Sequence, residues 1–104
     1  MSTSCTVKIE GITFAKLYIH WDGYPEAKLP FLEAFNKDFE EYRPDEVEYK
    51  FAQLLRATHR LQDEYVLNPS PYTGYGITPY ASVAGEDYEY TLHKDGSVTY
   101  VSTT

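Results

Sequence analysis

His20 and Asp22 are the residues of this chain whose types and spacing best suit chemistry. Residues i and i+2 of a strand share a face, so a carboxylate placed there can orient an imidazole for proton transfer or for holding a metal. Tyr18, Trp21, Tyr24 and Glu26 lie around the pair and would shape a pocket. The same nine residues also have a purely structural reading. In it Trp21 and Tyr24 plug the end of the core, Asp22-Gly23 makes a turn, and His20 bonds to the loop. The sequence leaves both readings open.

Other chemistries find less to work with. His20, His59 and His93 fall on separate predicted elements without short ligand spacing, so no metal is expected. The lone cysteine, Cys5, excludes an intramolecular disulfide. It sits in an N-terminal stretch expected to fray, with no base beside it in sequence. Gly74 and Gly76 lie among tyrosines and are not followed by a helix carrying Lys-Ser/Thr, so they make no phosphate loop. No cofactor is expected.

The run Tyr18-Ile19-His20-Trp21-Asp22-Gly23-Tyr24-Pro25-Glu26, followed by an apolar helix and a closing Tyr-x-Tyr, resembles small uncharacterised proteins of bacteria and their phages. Those proteins share a Tyr-x-His-Trp-Asp-Gly-Tyr-Pro-like segment. The resemblance implies a phage or prophage setting and lends no reaction to His20, Asp22 or Tyr24.

Charge and aromatic content point to a binding surface instead. Sixteen acidic residues against nine basic leave a net charge of -7, which disfavours direct contact with a phosphate backbone. Six carboxylates lie between Asp38 and Glu48, where Arg43 is the one base in the connection. They have two readings: Glu40, Glu41 and Glu46 mimic nucleic-acid phosphates for a basic groove, or the acids favour a helix N-terminus and solvate a surface. Eleven tyrosines are the other excess, and Tyr72, Tyr75 and Tyr80 either contact a partner or fold back over the sheet.

The elements that must position these residues follow from periodicity. Val7 and Ile9, then Ala15, Leu17, Ile19 and Trp21, alternate around Gly11 as a first hairpin. Phe31, Leu32, Phe35, Phe39 and Tyr42 recur at helical spacing over about 29–42, with Pro30 in the first turn. Asp45 and Glu48 form a capping-box variant that starts a second helix ending near Tyr65, with Lys50 on its outer face. Residues 68–87 show no period and read as a long loop. Tyr88, Tyr90 and Leu92, a turn at Lys94-Asp95-Gly96, then Val98 and Tyr100 make a second hairpin.

The expectation is a single α+β domain of order β-β-α-α-β-β, an antiparallel four-stranded sheet of two hairpins with both helices on one face. No apolar stretch approaches the length of a membrane span, so a cytoplasmic setting is expected. The leading functional expectation is a non-enzymatic binding protein of phage or mobile-element type. It would block a host protein, in one version a nucleic-acid-handling defence complex as an anti-CRISPR does, through Tyr18, Trp21, Tyr24, Glu40, Glu41, Glu46, Tyr72, Tyr75 and Tyr80. The alternative is a small enzyme or metal-binding domain centred on His20 and Asp22. A third reading pairs two copies through exposed hairpin edges.

Overall fold

The structure is a computed structural model that describes residues 3–63, 74–79 and 86–103, with the backbone alone for 60–63. Strand β1 (Cys5–Ile9) and strand β2 (Ala15–Ile19) form the expected first hairpin, with Gly11 at φ +98 in its connection. Their apolar alternation is real: Cys5, Val7, Ile9, Leu17 and Ile19 are buried on one face, which is what a half-covered strand requires. Cys5 therefore begins a strand and is fully buried, and the expected frayed end is not found there.

Helix α1 (Pro25–Tyr42) starts a full turn before the expected position. Tyr24, in extended conformation, is its N-cap and accepts the N–H groups of Ala27 and Lys28, while Pro25 takes the first helical position, where a missing N–H costs nothing. Pro30 consequently lies inside the helix and cannot bond back to Glu26. Leu32, Asn36 and Phe39 form the buried stripe. Helix α2 (Val47–Asp63) begins two residues after Asp45, because the Glu46 carbonyl accepts the Tyr49 and Lys50 N–H groups and so occupies the N-cap position. Asp45 stands in the preceding turn at φ +62.

The predicted sheet is corrected in two ways. Residues 75–79, assigned above to a long loop, form strand β3 (Tyr75–Pro79), which pairs antiparallel with β2. The flanking stretches, including Tyr72 and Tyr80, lie outside the described residues. The second hairpin, β4 (Tyr88–Leu92) and β5 (Val98–Ser102), joins the first through a parallel pairing of β4 with β1. The sheet is therefore five-stranded and mixed, in the order β3-β2-β1-β4-β5. The α+β class holds. Periodicity reports which face of a strand is buried but not which neighbour it takes, and a strand containing Gly76 and Pro79 hides its own signal.

Both helices cover one face, and Leu32, Leu54, Tyr90 and Leu92 close the core with the strand residues above. The other face carries a polar cluster. Lys16 is only 4% exposed and bonds Glu89 at 3.2 Å, with Glu86 at 3.6 Å; Lys8 reaches Glu89 at 2.9 Å; and the buried Thr6 hydroxyl donates to the same carboxylates. Burial raises the Glu89 carboxyl, but hydrogen bonds from Lys8 and Lys16 outweigh it and hold the group below its ordinary range.

Candidate functional site

The segment Tyr18 to Glu26 is held by backbone. The His20 N–H donates to the Gly74 carbonyl at 2.9 Å, extending the ladder between β2 and β3 by one rung. The Trp21 ring then lies against Gly74, where a Cβ would stand 2.5 Å from the indole, and Gly74 itself has φ +82. Only glycine meets both demands. Asp22 turns the chain at φ +56, and Gly23 passes so close to β1 that a Cβ there would lie 2.6 Å from the Ser4 carbonyl carbon. The Gly23 N–H donates to Thr3, and the buried Tyr90 hydroxyl donates to the Gly23 carbonyl at 2.7 Å. These contacts aim the chain from β2 into α1.

The structure does not join His20 to Asp22. The imidazole Nδ1 lies 3.1 Å from the Tyr18 hydroxyl, its ring edge meets Trp21 at 4.9 Å, and no hydrogen bond or ion pair links it to Asp22 among the described residues. Asp22 bears instead on Tyr75, whose phenol is raised mainly by burial and secondarily by that carboxylate. Tyr75 is half-buried against His59 at 5.1 Å. Trp21 and Tyr24 are exposed. No group of three or more His, Cys, Asp or Glu side chains suited to a metal occurs among the described residues. Burial pushes the Cys5 thiol up to about 12, with Lys28 acting to lower it and Glu86 to raise it.

The acidic stretch is largely paired. Glu40 bonds the Lys50 ammonium at 2.6 Å and also accepts the Asp45 N–H; Lys50 is 1% exposed and lies over the Phe39 ring. Lys50 is thus not the outer-face residue the helical pattern placed there. Glu46 pairs with Arg43 at 2.7 Å, with the guanidinium stacked 4.5 Å over Tyr49, and Asp45 pairs with Lys94 at 3.1 Å. Asp38, Glu41 and Glu48 are the exposed carboxylates of this stretch that keep no ion pair among the described residues.

Sequence reading missed an apolar concavity among the described residues. A groove of about 480 Å³ runs between the start of β2, the edge strand β3 and the first turns of α2. Phe14, Ile77, Ile12, Val47, Phe51 and Leu55 line it, and Glu48 stands at its rim. Phe14 is 75% exposed and Ile77 59%, although each is a large apolar side chain. Phe14 gave one signal, being apolar on the side of β2 opposite the core alternation. Ile77 gave none, because its strand was not recognised.

Neither a protein-family model, nor a curated protein, nor a solved structure matches the chain.

Proposed function

We propose that this chain is a non-enzymatic binding protein that takes an apolar segment of another protein into the groove between β2, β3 and α2. The observation that carries the reading is the exposure of Phe14 and Ile77 beside Val47, Phe51 and Leu55. Leaving two large apolar side chains in water forgoes roughly 1.5–3 kcal/mol each, and contiguous apolar surface of this kind marks interaction sites. Asp38, Glu41 and Glu48 would steer a basic partner toward this end of the molecule without carrying the affinity.

The specific form we put forward is an inhibitor of phage type, acting in the host cytosol on a nucleic-acid-handling complex as an anti-CRISPR does. Its support is the net charge of -7, the exposure of those three carboxylates and the resemblance of the Tyr18–Glu26 segment.

The test is affinity capture from host lysate with the wild-type chain and with Phe14→Asp, each at low and high salt. The ring of Phe14 is mostly in water, so the variant should fold with stability within about 1 kcal/mol of wild type. A protein retained by wild type and lost by Phe14→Asp at both salt concentrations is the expected result. Equal capture by the two chains would overturn the groove as the binding site.

A further inference from the structure

At the tip of the second hairpin, Glu10, His93 and Thr99 come together. The Glu10 N–H donates to the Leu92 carbonyl at 2.9 Å, which seats the end of β1 beside His93. The Glu10 carboxylate accepts the Lys94 N–H at 2.7 Å, and the same oxygen lies 3.9 Å from the imidazole Nδ1. The other ring nitrogen, Nε2, lies 2.7 Å from the Thr99 hydroxyl oxygen. The His93 main chain is held as well: its N–H donates to Ser97, and its carbonyl accepts the Asn36 amide at 3.0 Å. The three side chains border an open cavity of about 440 Å³, and Thr99 is exposed. None of the residues lining this cavity lines the groove.

A carboxylate facing Nδ1 favours the tautomer with its proton there, which leaves Nε2 to accept the Thr99 O–H. In that state the imidazole is a general base for the hydroxyl, and the carboxylate stabilises the imidazolium formed as the proton moves. Ser97, the other hydroxyl bordering the cavity, has a weaker partner. Its O–H donates to Asp95 at 2.6 Å, and that bond, with a second from the Ser97 N–H, holds the Asp95 carboxyl below its ordinary range and makes it a poor base.

We propose that Thr99 is a modification site that accepts one acyl group from an activated ester or thioester. Thr99 Oγ1 forms the new bond to the carbonyl carbon as the bond from that carbon to the leaving oxygen or sulfur breaks. His93 Nε2 takes the hydroxyl proton and passes it to the leaving atom, so the products are acyl-threonine and an alcohol, phenol or thiol. The acyl group then stays, because the N–H groups of the turn are engaged: Lys94 with Glu10, Gly96 with His93 and Ser97 with Asp95. A good leaving group departs without an oxyanion hole, whereas threonine is a poor one and its release by water needs such donors. The chain is acylated once and turns nothing over, which is compatible with a binding role at the groove.

The test is reaction of the full chain with p-nitrophenyl acetate at neutral pH, followed by peptide mass spectrometry. Acetylation at Thr99 is the expected result, at a rate that falls roughly 10²-fold in His93→Gln. Thr99→Ser should keep the label and Thr99→Val should lose it. Glu10 is a positioning residue that acts through His93. Glu10→Gln still accepts the Lys94 N–H and loses only the charge, so labelling should slow several-fold at unchanged thermal unfolding; a Glu10 that served structure alone would leave the rate as it was. No label at Thr99, Ser97 labelled as fast as Thr99, or Thr99 labelled at the wild-type rate in folded His93→Gln or Glu10→Gln would each overturn the proposal. Phe14→Asp lies outside this cavity and should label as wild type does, so the groove and this site fail independently.

Discussion

Gly23 shows how one residue sets the direction of a segment. Its missing side chain lets the turn touch the Ser4–Cys5 backbone, and the Tyr90 hydroxyl closes it from the core. Tyr90→Phe should cost about 1–2 kcal/mol in denaturant unfolding, since a buried carbonyl loses its donor. Gly23→Ala should cost more, because a backbone atom at 2.6 Å cannot yield as a side chain can. The Asp22-Gly23 turn was legible in the sequence. The strand pressed against it was not, since nothing local to residue 23 reports a neighbour from residue 4. The same is true of Cys5, whose reactivity depends on burial: its thiol, raised to about 12, should resist a disulfide reagent at pH 8 until the chain unfolds. Rapid native-state labelling would contradict that placement.

At the scale of elements, the joint between α1 and α2 is fixed by charge that sequence pattern placed on the surface. Lys50 occurs at a spacing that suits a solvated face, yet its ammonium is held by Glu40 and the Phe39 ring inside the joint. Helical periodicity sees an amphipathic stripe and cannot see that the next helix covers its margin. Glu40→Gln should destabilise the fold by about 3 kcal/mol by leaving an uncompensated buried ammonium, while Glu40→Leu combined with Lys50→Met should recover much of the loss. Thermal unfolding of the single and double variants measures both. Strand β3 fails to show in the sequence for a different reason: its pairing with β2 supplies the order that Gly76 and Pro79 withhold locally.

In the whole molecule, β1 sits at the centre of the sheet, between its hairpin partner β2 and the parallel strand β4. The Lys8, Lys16 and Glu89 cluster ties those three strands together on the face away from the helices. Glu89 titrates lower in the folded chain than in the unfolded one, so its contribution is complete above the unfolded value of about 4.3 and is lost as pH falls through the depressed folded value. The stability gap between wild type and Glu89→Gln should therefore be widest near neutrality and close in acid; a gap independent of pH between 3 and 7 would contradict this. The apolar groove lies beside β3, at one end of the strand order. The groove is the working surface in this account, and site-specific photo-crosslinking tests it most directly. A photoreactive phenylalanine at position 14 should give a partner adduct of discrete mass in host lysate, and the same group at the exposed position 42 should not. Adducts formed equally from both positions, or from position 42 alone, would contradict the claim that this groove holds the partner.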